Sequence, residues 1–384
     1  MIDNNILKEK FQSYFGEGEP RLFTAPGRIN IIGEHTDYNG GFVLPGAVDK
    51  AITMAILPNH TDIVNLISID HDCAAVFFRI GGPQPKEQWA SYFYGVIEEM
   101  RKRGATVGGF NAVFGGDVPL GAGMSSSAAL ESCIGTALNA IYSLNFTREE
   151  LAKIGQMTEH NYIGVRCGIM DQFASIFGQK GHVVRLDCRS LEYQLVPFKP
   201  KGIEIVLIDT MVKHLLASSD YNVRRTQCEE GVSVIKKYLP NVELLRDVTM
   251  EELEAHRAEI DPVSFMRCAF VVNENKRLMD ACAAMEKGDF EEVGRLVYAT
   301  HDGLSKEYGV SCAELDFIVD IAREHKEVLG ARMMGGGFGG CVIALVKKEG
   351  VAAYIEDVKK RYQVKFDKDP RVIEVEISDG AREI

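Results

Sequence analysis

Residues 119–131 read PLGAGMSSSAALE, Pro119 to Glu131, and the rest of the chain is organised around this stretch. Gly121 and Gly123 carry no Cβ, so the backbone can turn tightly there and approach a ligand closely. Ser125, Ser126 and Ser127 lead into a run from Ala128 to Tyr142. In it Leu130, Ile134, Ala137, Leu138 and Ile141 recur at helical spacing, so one face of that helix is buried. A glycine loop opening into a helix N-terminus offers unpaired N–H groups and the positive end of the helix dipole, a site suited to phosphate. A Gly/Ser linker would not carry an amphipathic helix directly behind it. No lysine follows the glycines, which excludes the G-x-x-x-x-G-K-[ST] type of phosphate loop.

The 384 residues, 46% of them hydrophobic, suffice for a large core divided between two domains. A net charge of -12 argues against a nucleic-acid surface and against an anionic membrane. A phosphate site in such a chain must draw on local N–H groups and a metal. The nine cysteines are scattered without a C-x-x-C pair, the pattern of reduced thiols rather than of disulfides or zinc. The opening MIDNNILKEKFQSYFG lacks the basic-then-apolar order of a signal peptide. No run approaches the roughly 18 consecutive apolar residues of a membrane helix. A soluble, cytoplasmic protein is expected.

A second stretch, PGRINIIGEHTDYNGG from Pro26 to Gly41, joins strand-like apolar positions to a polar loop. Glu34, His35, Asp37, Tyr38 and Asn39 crowd together there. They read either as a hydrogen-bonded turn or as donors and acceptors for a polyol. Strands are expected over 51–56, 63–69 and 110–114. A helix from Trp89 to Met100 has Tyr92, Val96 and Met100 on one face; Trp89 reads as core or as a base-stacking aromatic. Thr147 and Glu150 form a capping box for a helix to about Tyr162, on which Glu159 reads as a solvated carboxylate.

Asp171 lies inside the apolar run GVRCGIMDQFASIFG. A buried aspartate must be paired, which suggests catalysis, yet the same residue could cap a short helix over 172–177. Strands are expected over 182–187, 193–197 and 203–209, with the second domain beginning among them. Ser218 or Ser219 would cap a long helix with Tyr221, Arg224 and Arg225 in its first turns, where an anion or carboxylate partner for the cations is expected. Asp261-Pro262 starts a helix to about Met285, 290–298 continues helical, and Ser311 with Glu314 caps another to about Val328.

In RMMGGGFGGCVIALV, Gly335, Gly337 and Gly340 satisfy G-x-G-x-x-G. The dinucleotide fingerprint requires a helix next, whereas Cys341 to Val346 reads as a strand. The stretch is therefore expected to be a tight strand–turn–strand passing close to the phosphate or sugar. A helix over 351–362 and a strand over 371–377 complete two α+β domains around a cleft.

GRINIIGEHTDYNGGFVLP, VPLGAGMSSSAALE and MGGGFGGC together resemble the three signature motifs of the GHMP small-molecule kinases, the first that of their galactokinase branch. W-x-x-Y-x-x-G (Trp89, Tyr92, Gly95), CGIMDQF and HLLASSDYNVRRTQCE fall in the order galactokinases have, so the resemblance runs from about Arg21 to Gly380. It implies an α+β, two-domain GHMP-kinase-like architecture with the active site in the cleft between domains. Residues 1–195 would carry the sugar signature and the phosphate loop, and 196–384 a ferredoxin-like domain.

The implied reaction is ATP-dependent phosphorylation of the anomeric hydroxyl of galactose, giving galactose 1-phosphate and ADP, the first committed step of galactose breakdown. By the same resemblance Pro119, Gly121, Ala122, Gly123, Met124, Ser125, Ser126, Ser127 and Ala128 wrap the triphosphate, and Trp89 lines the adenine pocket. Ser127 and Glu159 hold Mg²⁺. Asp171 accepts the proton of the anomeric hydroxyl, while Arg28 keeps it ionised and binds charge on the phosphoryl group.

Glu34, His35, Asp37, the backbone at Gly168 and the hydroxyl of Tyr221 bind the sugar. Met124 stands where leucine is usual. The implied partners are galactose and ATP, without nucleic acid or membrane, and a monomer is expected. Sister kinases acting on N-acetylgalactosamine or arabinose, and a non-catalytic sugar sensor, are the alternatives. Sensors lack residues of the serine–alanine loop, which is complete here from Ser125 to Ala129.

Overall fold

The computed structural model describes residues 3–198, 200–212 and 217–384. In chain order the strands are β1 (Arg21–Asn30), β2 (Phe42–Val43), β3 (Pro45–Pro58), β4 (Ile63–Ser68), β5 (Ala74–Arg79), β6 (Phe110–Gly116), β7 (His182–Asp187) and β8 (Tyr193–Pro197). They are followed by β9 (Ile203–Asp209), β10 (Val328–Met333), β11 (Cys341–Lys347), β12 (Arg371–Glu374) and β13 (Arg382–Glu383). One sheet has the order β13-β1-β3-β6-β4-β5, a second β10-β11-β9-β12 and a small third β2-β7-β8. Only β4 and β6 pair in parallel among the described strands.

The helices are α1 (Asn4–Phe15), α2 (Gln88–Lys102), α3 (Ser126–Ile141), α4 (Arg148–Thr158), α5 (Met170–Phe177) and α6 (Ala217–Ile235). Then come α7 (Met250–Ala255), α8 (Pro262–Glu286), α9 (Phe290–Asp302), α10 (Ala313–Glu324) and α11 (Val351–Phe366). One core gathers Phe23, Ile29, Met54, Phe93, Phe110 and Ile134 between the first sheet and α2–α5. Another gathers Ile208, Phe270, Leu315, Val342 and Tyr354 around the second sheet.

Local signals set the element ends. The Thr147 hydroxyl accepts from the Glu150 N–H at 3.2 Å, and the Glu150 carboxylate accepts from the Thr147 N–H at 2.8 Å, so α4 starts on a capping box. Asp261 caps α8 by accepting from the N–H groups of Val263 and Ser264, with Pro262 at the first helical position.

Four expectations need correction. The α-helix from Thr147 ends at Thr158 and continues as a wider π-type turn over Glu159–Ile163, closed by Gly164 at φ 86°. The helix after Ser311 starts at Ala313 and stops at Glu324; Ser311 bonds the Asp316 carboxylate instead of capping, and Val328 already begins β10. The last expected strand is shorter, Arg371–Glu374. Of the two cations expected to meet an anion or carboxylate, Arg225 does so at Glu229, 3.0 Å away, but Arg224 meets the carbonyls of Tyr308 at 2.9 Å and Gly309 at 2.8 Å. Ser218 and Ser219, expected to cap α6, lie outside the described side chains.

Candidate active site

Arg28 is delivered by an irregularity in β1. Pro26 pairs with Ala51 but Arg28 pairs with Ala47, because β3 turns away in between to meet the C-terminal segment, where the Asp49 N–H donates to Glu376 O at 2.9 Å. Such a register break re-aims a side chain. The Arg28 guanidinium, 4% exposed, meets Asp171 as a fork: Nε donates to Oδ1 and Nη2 to Oδ2, both at 2.8 Å. Its Nη1 donates to the Gly123 carbonyl, and its backbone N–H donates to Met124 O at 3.1 Å, tying the glycine loop to β1. Burial opposes the charge on Arg28, but Asp171, Glu34 and Asp37 together hold its pKa above the usual range.

Asp171 sits in the first turn of α5, whose cap position is Ile169, so the capping alternative fails. Its Oδ2 also accepts from the Ser125 hydroxyl. That hydroxyl therefore faces the Asp171 carboxylate and makes no cap bond to α3. Among the described residues no side chain caps the start of α3, so its first N–H groups are not taken by a Ser125 cap. Gly121 and Gly123 have φ of 76° and 69°, and Ser125 shares this left-handed backbone at 54°. The side chains of Ala122, Met124 and Ala128 are buried, so these residues can offer a phosphate only their backbone.

The third glycine cluster is a strand–turn–strand, β10 to β11, and what it passes close to is the glycine loop at Gly123. A Cβ on Gly123 would lie 2.8 Å from Met334 O, and one on Gly335 would lie 3.2 Å from the Gly123 Cα.

Arg28, Glu34, His35, Asp37, Gly168, Asp171 and Tyr221 line one cavity of about 260 Å³, together with Ser127 and Glu159. Burial, then Asp171, pushes the Asp37 carboxyl up to about 7. Asp37 lies so close to Gly168 that a Cβ there would sit 2.1 Å from its Cγ. Burial, then Arg224, lowers His35 to about 3, so the imidazole is neutral near pH 7; its Nδ1 shares a proton with the Tyr38 hydroxyl at 2.9 Å. The Tyr221 ring lies 5.3 Å from that of His35. The wall of the cavity is thus a set of carboxylates, a neutral imidazole and hydroxyls, which suits a polyol.

Glu159 is 7% exposed, not solvated as expected: it stands four residues after Gly155 and seven after Ala152, on the buried face of α4, where the π-type turn begins. Burial raises it to about 7; the Ser127 hydroxyl counters this and Asp171 adds to it. Glu131, 2% exposed, stands behind it; burial and Glu159 hold its carboxyl well above the usual range. Its Oε2 accepts from Gln172 Nε2 at 3.0 Å. A second cavity of about 490 Å³ adjoins the first at Gln88, Tyr92 and Ser127 and is walled by Trp89, Phe114 and Leu120. Trp89 faces it stacked on His71, ring centroids 5.9 Å apart at 27°. Of the nine loop residues expected to wrap the triphosphate, only Ser126 and Ser127 line either cavity; Pro119, Gly121, Ala122, Gly123, Met124, Ser125 and Ala128 line neither.

Sequence reading passed over Arg332 and Glu131. Arg332 is 0% exposed and pairs with Glu34 at 3.1 Å. The signal was available: a lone charge within the apolar run VLGARMM is the same anomaly that singled out Asp171.

Residues 9–58 match the galactokinase galactose-binding signature, 91–179 the GHMP kinase N-terminal domain and 281–363 the GHMP kinase C-terminal domain. A galactokinase of Thermotoga maritima is 41% identical over 360 residues, covering 94% of this chain and 99% of the relative. One of a Roseiflexus species is 37% identical over 380 residues, 99% and 97% of the two chains. The Lactococcus lactis galactokinase solved in complex with galactose superposes with a TM-score of 0.95 at 35% identity over 98% of both chains. Methanococcus jannaschii mevalonate kinase, 19% identical with a TM-score of 0.66 over 94% of this chain and 100% of that one, shares the fold. No described helix is long and apolar enough to cross a membrane. By its signature, its two kinase domains and its full-length relatives, the chain belongs to the galactokinase branch of the GHMP kinases.

Proposed function

We propose that the protein transfers the terminal phosphoryl group of ATP to the anomeric hydroxyl of galactose, giving galactose 1-phosphate and ADP. The observation that carries this reading is the forked Arg28–Asp171 pair, opening into a polyol-lined cavity that meets a second, aromatic-walled cavity at Ser127. The relatives at 37–41% identity are galactokinases, and the L. lactis structure holds galactose.

Asp171 accepts the hydroxyl proton as oxygen attacks phosphorus. Arg28 keeps Asp171 ionised, and with three of its five N–H groups engaged it has donors left for charge on the phosphoryl group. The N–H groups at the start of α3 take the triphosphate, with Trp89 beside the adenine. The transfer requires positioning and charge stabilisation and no covalent enzyme intermediate.

Glu159 and Ser127 fit a hard divalent cation: a hydroxyl beside a buried carboxylate that is difficult to ionise without a positive partner. Mg²⁺ held there supplies positive charge to the phosphate oxygens. Glu34, His35, Asp37, Gly168 and Tyr221 hold the sugar, and a site built to hydrogen-bond one hydroxyl pattern rejects its epimers. We take the chain to divide near residue 195: the second core draws only on residues beyond that point, while the first also takes in Leu207, Leu278 and Ile343 where the halves pack together. All these groups come from one chain, consistent with a monomer, and the free thiols suit the cytoplasm.

A coupled ADP-release assay with Mg-ATP tests the proposal, with galactose, glucose, N-acetylgalactosamine and arabinose side by side, each with and without EDTA. EDTA-sensitive turnover on galactose is expected. Higher turnover on another sugar would replace the substrate. Galactose-dependent thermal stabilisation without ADP release would leave a sensor.

A further inference from the structure

Arg332, on β10, is fully buried beside Glu34, whose side chain is 2% exposed. Its Nε donates to Ile31 O at 2.9 Å and its Nη1 to Met333 O at 2.6 Å. Nη1 and Nη2 both reach Glu34 Oε1 at 3.1 Å, and Nη2 also donates to Asn30 O. These bonds occupy every N–H an arginine has. The Gly335 N–H donates to the same Oε1 at 2.8 Å. Oε1 is therefore saturated, whereas Oε2 receives nothing from the described residues, in a side chain that lines the cavity with Asp37 and Asp171. A carboxylate oxygen without a protein donor in a side chain that lines a cavity is an acceptor open to a ligand hydroxyl.

We propose that Arg332 is a positioning residue for the sugar: by fixing Oε1 of Glu34 it turns Oε2 into the cavity as the acceptor for one sugar hydroxyl. It acts through Glu34 and does not touch the substrate; the inference rests on the reading of this cavity as the galactose site. The clamp spans the molecule. Asn30, Ile31 and Glu34 belong to the end of β1 and its loop, Met333 and Gly335 to β10 and its turn, so the second sheet sets a sugar contact on the first. Lysine cannot replace the arginine here, since three donors radiating from one nitrogen cannot reach three carbonyls and a carboxylate together.

The test is steady-state kinetics on the full chain for Arg332→Lys, Glu34→Gln and the double variant, each checked for folding by its melting curve. Arg332→Lys is expected to raise the galactose KM about tenfold or more, with the ATP KM within about twofold and kcat little changed. In Glu34→Gln the amide oxygen must stay on the Arg332 and Gly335 donors, so the NH₂ group replaces an acceptor at the sugar, and the galactose KM rises similarly. In the double variant the Lys change adds less than about twofold, because both act through one atom.

A folded Arg332→Lys enzyme with unchanged galactose KM, or fully additive losses, would overturn the proposal; a purely structural arginine would lower the melting temperature without a selective KM effect. Should Arg332→Lys fail to fold, Glu34→Gln decides alone, and a wild-type galactose KM there overturns it. Absence of galactose turnover in the unmodified enzyme would overturn the sugar reading itself, and this inference with it.

Discussion

Gly168→Ala adds a single methyl group, and its effect follows from one contact. The new Cβ would stand 2.1 Å from both Cγ and Oδ2 of Asp37 and 2.6 Å from its Cβ, where ordinary contact begins at 3.4 Å. Gly168 is not among the glycines with left-handed φ, so alanine meets no backbone barrier and the clash is the whole effect. Rotation of the carboxylate alone does not relieve it, because the Asp37 Cβ is itself too close. The side chain must retreat by roughly 1 Å, a displacement that can cost about 10²-fold when it falls in a binding constellation. The lost charged hydrogen bond is worth about 1.5–3 kcal/mol, or roughly 10–100-fold.

The galactose KM of Gly168→Ala should therefore rise about 10–100-fold, while the ATP KM stays near the parent value. Initial rates with each substrate varied, and a melting curve to confirm folding, measure this. In the background of Asp37→Ala, which removes the clashing carboxylate, Gly168→Ala should add little. A folded Gly168→Ala enzyme with the parent galactose KM would refute the placement of Asp37 at the sugar.

Other expectations address the remaining parts of the site. Asp171→Asn should lower kcat by about 10²–10⁴-fold while galactose still raises the melting temperature; near-parent turnover would remove Asp171 as the base. The pKa of Asp37 is raised in the folded state to about 7, by burial and then by Asp171. A raised carboxyl stabilises the fold most below its unfolded pKa of about 4, and that contribution is lost as the pH climbs through about 7. The melting temperature of the ligand-free enzyme should thus fall less between about pH 5 and 8 in Asp37→Asn than in the parent, and parallel curves would show that Asp37 is not so perturbed. Trp89→Ala should raise the ATP KM and spare the galactose KM; an effect on galactose instead would assign the second cavity differently.

Much of this was legible from residue order alone, and the exceptions have physical causes. The strands 182–187, 193–197 and 203–209 match the structure residue for residue, because turn residues bound each run at a length too short for a helix. The G-x-G-x-x-G decoy was recognisable from the strand behind it. The glycine loop pointed to an anion site on local grounds.

What the sequence could not display is which groups face each other across 143 positions, as Arg28 and Asp171 do. Family resemblance paired them, whereas the register break that aims Arg28 depends on β3 leaving for the C-terminal segment. Glu159 read as solvated because a lone carboxylate on a helix normally is, although its spacing from Ala152 and Gly155 places it on the buried face of α4. Ser311 looked like a cap because capping competes with any nearby carboxylate, and Asp316 takes its hydroxyl.

The central claim is that phosphate ends on the anomeric oxygen of galactose. It is tested most directly by ³¹P NMR of the product formed from ATP and galactose, observing the coupling of the new phosphorus signal to sugar protons. The account predicts one new phosphate monoester coupled to the anomeric proton, appearing in step with ADP and absent with Asp171→Asn. A phosphorus signal coupled to the C6 protons, or ADP accompanied only by inorganic phosphate, would contradict it.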